Sequence, residues 1–268
     1  MLDSPTGDVN ETLPEPSQLR PTQLGALRRR GIYLLPNLFT TGVLFGGFFA
    51  IVQAMNGRFE IAAVAIYVAM VLDGLDGRIA RWTHTQSEFG AEYDSLADMV
   101  AFGAAPALVA YEWALKDLGR LGWIAAFVYC AGAAIRLARF NVNIEVVDKR
   151  FFQGLPSPAA AAVVAGLVWV LSDFEVVRHD WMAALAWAIT VFAGITMVSN
   201  VPFYSFKEIN FKKRVPLWVI LASVVGITVV ASKPSLVLFA LFVAYALSGY
   251  VIWGRGQRVK PLPEDESP

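Results

Sequence analysis

The chain has 268 residues, 56% of them hydrophobic and 16% charged, well under the about 25% charged residues of soluble domains, so a membrane protein is the first expectation. Acidic and basic residues balance at 22 each, and a neutral chain argues against a nucleic-acid partner. Cys130 is the single cysteine; it cannot form an internal disulfide and reads as a small buried hydrophobe.

In chain order, residues 1–19 are polar, acidic and Pro-rich. That is the composition of a disordered N-terminal tail, not of a cleavable signal peptide. Residues 20–31 form a basic juxtamembrane segment with two readings: a short helix lying on anionic headgroups, or a topogenic cluster at Arg28, Arg29 and Arg30. Eight apolar runs then approach the length of a bilayer crossing, over 34–54, 60–82, 92–115, 121–141, 157–172, 181–200, 215–231 and 235–253. The fifth and seventh are short for a perpendicular crossing. Breaks fall at Asn56-Gly57, at Gly119 to Gly122, at Pro156-Ser157-Pro158, from Asp173 to Asp180, from Lys207 to Arg214 and at Lys233-Pro234. The expected fold class is therefore an all-α integral membrane protein with eight transmembrane helices in total. Residues 255–268 form a cytoplasmic tail, acidic and Pro-rich from 261.

Positive charge sets the orientation. With the N-terminus in the cytoplasm, 17 of the 22 Lys and Arg residues fall on the inner side, leaving Arg58, Lys116, Arg120, Arg178 and Lys233 outside. This is the bias that the positive-inside rule expects. It places the inner ends of the second and third spans, and the acids they carry, in the cytoplasm.

Those acids are the strongest chemical signal. Asp73, Asp76, Asp94 and Asp98 lie in apolar sequence, where each carboxylate costs about 2.5–3.5 kcal/mol at the centre of a membrane helix. Asp73 and Asp76 are spaced i,i+3 and Asp94 and Asp98 i,i+4, so each pair shares a helix face. A turn between residues 82 and 90 lets the two faces converge on a four-carboxylate pocket. Oxygen ligands without His or Cys favour Mg²⁺, Mn²⁺ or Ca²⁺, and two such ions a few ångströms apart could hold both bridging oxygens of a phosphoryl transfer. Gly77 and Ala80 keep the face low, and Arg81 can meet a phosphate or balance the acids. The plainer alternative is a solvated acidic helix end or structural ion pairs.

The string D-x-x-D-G-x-x-A-R-x8-G-x3-D-x3-D, matched here at Asp73, Asp76, Gly77, Ala80, Arg81, Gly90, Asp94 and Asp98, resembles the signature of the CDP-alcohol phosphotransferase family. The resemblance implies a six-helix core over residues 32–200, with two further transmembrane helices over 201–254. It also implies transfer of a substituted phosphate from a CDP-linked donor to an alcohol, with release of CMP. Carried over residue by residue, Asp73 and Asp94 would bridge two divalent ions, Mg²⁺ or Mn²⁺, with Asp76 completing one site and Asp98 the other. Asp98 would also be the general base for the attacking hydroxyl. Gly77, Arg81 and Ser87 would line the CDP site, with Pro36 and Asn37 at the cytidine end. Relatives of this fold are commonly homodimers, which implies the same here.

A second cluster bears on the acceptor. The fourth span ends in Arg136-Leu-Ala-Arg139-Phe-Asn141-Val-Asn143, followed by Phe152 to Ala160. Two arginines at i,i+3 can face the aspartates, and an Arg fork suits the carboxylate of an amino-acid acceptor; snorkelling to headgroups is the plainer reading. These stretches, with Ser205-Phe206-Lys207, resemble the branch of the family that joins CDP-diacylglycerol to L-serine, with Arg136, Arg139 and Asn141 as acceptor-binding residues. Glycerol 3-phosphate or inositol stays open as the acceptor. An ion-coupled transporter is the rival of another class, disfavoured because the acids gather near one surface. His84 and His179 read as surface residues, Glu88 and Glu92 flank the motif but are left out of the ligand set, and the eight tryptophans, Trp113 among them, read mostly as interface anchors.

Overall fold

The computed structural model describes residues 21–83, 87–142, 151–174, 180–205 and 217–255. The expected N-terminal tail, His84, His179, Asn143, Phe206, Lys207 and the cluster Lys212, Lys213 and Arg214 lie outside the described residues.

The helices are α1 (Pro21–Met55), α2 (Phe59–Thr83), α3 (Glu88–Asp98), α4 (Ala105–Trp113), α5 (Arg120–Val142), α6 (Ser157–Asp173), α7 (Asp180–Val198), α8 (Leu217–Ser232) and α9 (Pro234–Gly254). A π-helical stretch, Met99–Ala104, joins α3 to α4, so these two make one pass. The described helices thus give eight passes at the places the apolar runs predict. Among the described residues, four stretches are long and apolar enough by themselves to cross a membrane: Pro36–Met55, Arg120–Val142, Trp181–Val198 and Pro234–Gly254. The basic segment from Pro21 is helical and continuous with the first pass.

Two features depart from the expected regular helices. The third pass is broken by the π segment, whose end is marked by Ala105 N–H donating to the Val100 carbonyl. Pro106 has no N–H to give the Phe102 carbonyl, and the fully buried Tyr129 hydroxyl donates to it instead at 3.0 Å. The second departure is a small antiparallel pair, β1 (Phe151–Gln153) with β2 (Pro202–Tyr204), in which Phe152 faces Phe203. At three residues each, these strands are too short for an alternating pattern to register.

Small residues draw the passes together, as expected where lipid offers helices no hydrophobic drive to associate. A side chain on Gly47 would meet the Ala101 backbone at 2.5 Å, and one on Gly132 the Gly194 carbonyl at the same distance. These contacts seat the π segment on α1 and cross α5 over α7. The Ala-rich α6 is the centre of the bundle, with Ala159, Ala160, Ala161, Ala162 and Ala165 all buried. It packs on α2, α4, α7 and α9. By contrast α8 packs on α9 and otherwise presents Leu221, Val224, Ile227 and Val229 outward, a lipid-facing surface. Trp123, Trp181 and Trp253 are exposed, as interface anchors should be, but Trp113 is buried at 4% exposure and belongs to the core.

Candidate active site

The site forms where the C-terminal end of α2 meets the start of α3. Thr83 ends one helix and Ser87 caps the next, its hydroxyl accepting from Gly90 N–H at 3.0 Å. Helices α2 and α3 bring Asp73, Asp76 and Asp94 together, with one carboxylate oxygen from each within 4.8 Å of the others. Asp98, one turn further along α3, lies within hydrogen-bonding reach of Asp73 and feels the charge of all three other carboxylates. The two helical pairs therefore converge, with three acids in the tightest group and Asp98 at its edge.

The donor set fits a divalent cation. It is all carboxylate, and Asp94 Oδ1 and Asp98 Oδ1 are buried oxygens with no hydrogen-bond partner. Buried anionic oxygens left unpaired are costly, and a hard cation is the partner such oxygens select. Asp76 is the most constrained of the four at 4% exposure. Gly77 N–H donates to its Oδ1 at 2.5 Å, and the Thr40 hydroxyl donates to its Oδ2 at 3.1 Å. Thr40, a residue sequence reasoning missed, sits one turn after Pro36 on α1 and also lies 3.2 Å from the Pro36 carbonyl. Its pairing with Asp76 spans 36 positions of sequence, so no local pattern could have found it.

Around the acids, Asn37 and Ser87 both flank Gly90. A Cβ there would lie 3.1 Å from Ser87 Oγ and 3.6 Å from Asn37 Oδ1. Gly77 has open space where a side chain would stand, leaving the α2 backbone approachable. Arg81 is exposed and folds back, its Nε donating to the Gly77 carbonyl at 2.9 Å. The Thr41 and Tyr93 hydroxyls, 3.0 Å apart, hold α1 to α3 beside this group.

The second cluster divides in two. Arg136 is buried, lies within electrostatic reach of Asp98, donates through Nη1 to Ser157 Oγ at 3.0 Å, and keeps its Nε unpartnered. Asn141 donates to Ser95 Oγ at 3.0 Å, one residue from Asp94. Arg139 turns elsewhere: it donates to Gln153 Oε1 on β1, to Asn200 Oδ1 at 2.7 Å and to the Val198 carbonyl at 3.3 Å. Arg136 and Asn141 therefore adjoin the acids, while Arg139 fastens the end of α5 to the strand pair and to the end of α7.

Comparison with known proteins matches residues 33–195 to the family model for CDP-alcohol phosphatidyltransferase. A Helicobacter pylori protein named CDP-diacylglycerol–serine O-phosphatidyltransferase is 35% identical over 222 residues, 83% of this chain and 92% of that protein. Proteins of the same name from Mycobacterium tuberculosis and Saccharomyces cerevisiae are 33% and 37% identical, covering 81% and 58% of this chain and 78% and 64% of their own. Among solved structures, Mycobacterium tuberculosis phosphatidylinositol phosphate synthase with CDP-DAG bound is 22% identical, with a TM-score of 0.48 over 65% of this chain and 86% of that one. With the family model matching more than half of it and a relative 35% identical over 83% of it, the chain belongs to the CDP-alcohol phosphatidyltransferase family.

Proposed function

We propose that this protein makes phosphatidylserine in the membrane, transferring the phosphatidyl group of CDP-diacylglycerol to the hydroxyl of L-serine and releasing CMP. The observation that carries the reading is the convergence of four carboxylates beside a buried arginine with an unpartnered Nε. The 35% identity to a serine O-phosphatidyltransferase over 83% of the chain supports the acceptor.

Asp73, Asp76, Asp94 and Asp98 would hold the divalent metal, two ions of Mg²⁺ or Mn²⁺, which would supply charge neutralisation of the diphosphate and of the departing CMP. Asn37, Ser87, Gly77 and Arg81 line the CDP end; the open backbone at Gly77 leaves room for the diphosphate, and the exposed Arg81 can swing toward it. The serine carboxylate pairs with Arg136, and Asn141 closes the same side through α3. Arg139 serves the acceptor end by fixing its frame. Asp98, within hydrogen-bonding reach of Asp73 and electrostatic reach of Arg136, takes the proton as the serine oxygen bonds to the diacylglycerol-side phosphorus and the bond to CMP breaks. We further propose that this end of the bundle faces the cytoplasm, the inner membrane's inner face in a bacterium, and that two copies pair as a homodimer.

Loss of a positioned general base costs roughly a hundred- to ten-thousandfold. Asp98→Asn should therefore abolish serine-dependent CMP release while leaving the thermal unfolding of the detergent-solubilised protein unchanged. Undiminished release in that variant contradicts the assigned base.

A further inference from the structure

The last pass, α9, lies outside the residues matched to the family, yet it packs against the frame of the site. It packs along α6 and against β2. The Tyr245 hydroxyl donates to the Tyr204 carbonyl at 3.2 Å, and its ring sits 5.7 Å from that of Phe203. Phe203 is fully buried and packs against Gly249, where a Cβ would collide with its ring. From β2 the connection continues through the strand pairing to Gln153, the acceptor of the Arg139 bond, and then to Gly154, whose N–H donates to the Val201 carbonyl at 2.9 Å. Gly154 has a φ of +76° and no room for a Cβ beneath the Met197 carbonyl, so this corner admits only glycine. Three residues on, Ser157 accepts the bond from Arg136. Tyr245 also lies within electrostatic reach of Arg136.

We propose that α9 completes the acceptor pocket, with Tyr245 as a positioning residue that sets Arg136 by holding β2 and the β1–α6 corner in place. The inference rests on the reading of Arg136 as the partner of the acceptor's carboxylate. It gives the added helix a role in acceptor recognition, distinct from the family core's handling of the CDP-linked donor.

Tyr245→Phe keeps the ring on Phe203 and removes only the hydroxyl. A lost hydrogen bond of ordinary strength corresponds to a change of roughly three- to tenfold. In the purified full-length protein with Mn²⁺, the variant should raise the KM for L-serine by about that factor and leave the KM for CDP-diacylglycerol unchanged. Ser235→Ala is the control. It removes a hydroxyl bond of the same helix at its other end, where Ser235 donates to Asp173 at 2.8 Å, and should leave both KM values unchanged. Equal serine KM in Tyr245→Phe and the parent protein overturns the positioning role alone. So does an equal rise in both variants, which would mark a general loosening of α9. Absence of serine-dependent CMP release from the parent protein overturns the serine reading and this inference together.

Discussion

Single residues set the chemistry, and they were unequally legible. The aspartates could be read because their spacing is local: i,i+3 and i,i+4 pairs share a face whatever the rest of the fold does. The Asn37, Ser87 and Gly90 grouping is partly local, since Ser87 caps the helix that carries Gly90. Thr40 and the partners of Arg139 were not legible, because each pairing joins elements distant in sequence. Thr40 makes a direct prediction. It orients Asp76 without taking part in the chemistry, the kind of support whose loss lowers metal affinity by roughly tenfold or more. Thr40→Val should shift the Mn²⁺ dependence of CMP release to higher concentration by about that factor, with the rate at saturating metal largely restored. An unchanged metal dependence would contradict the support assigned to Thr40.

At the level of elements, the apolar runs located the passes to within a few residues except at the N-terminus, where the basic segment extends α1 back to Pro21. What they could not convey was how a pass is built inside. The π stretch directly follows Asp98, and its register change depends on Pro106 and on a tyrosine from α5. Departures of this kind often accompany functional sites. The strand pair escaped notice because its two halves come from separate linkers. Crossings rest on small residues, which predicts where the bundle is intolerant. Gly132→Val would force a side chain against the Gly194 carbonyl, and overpacking of this sort costs about 1–3 kcal/mol. The midpoint of thermal unfolding in detergent should fall clearly, whereas Gly226→Val, in open space on α8, should leave it in place. Equal midpoints would mean that α5 and α7 do not meet as described.

For the whole molecule, the site draws on α1 at Asn37 and Thr40, the end of α2, α3, the end of α5 and the start of α6. A transporter would distribute its acids over broken helices near the midplane; here three of them gather in one group, with Asp98 at its edge. The proposed orientation of the site toward the cytoplasm rests on the charge bias, and labelling tests it. With Cys130 replaced by Ala, a cysteine at the exposed Arg120 should react with a membrane-impermeant maleimide in intact cells, and one at the exposed Arg255 only after the cells are opened. The reverse pattern would invert the topology.

The central claim is a metal-dependent transfer from CDP-diacylglycerol to L-serine. Its most direct test is CMP release by the purified protein in detergent with Mn²⁺ or Mg²⁺, offered L-serine, glycerol 3-phosphate or inositol in separate reactions. The account predicts release with serine alone, abolished by EDTA and restored by added metal. Release with another acceptor and none with serine, or release untouched by EDTA, would contradict it.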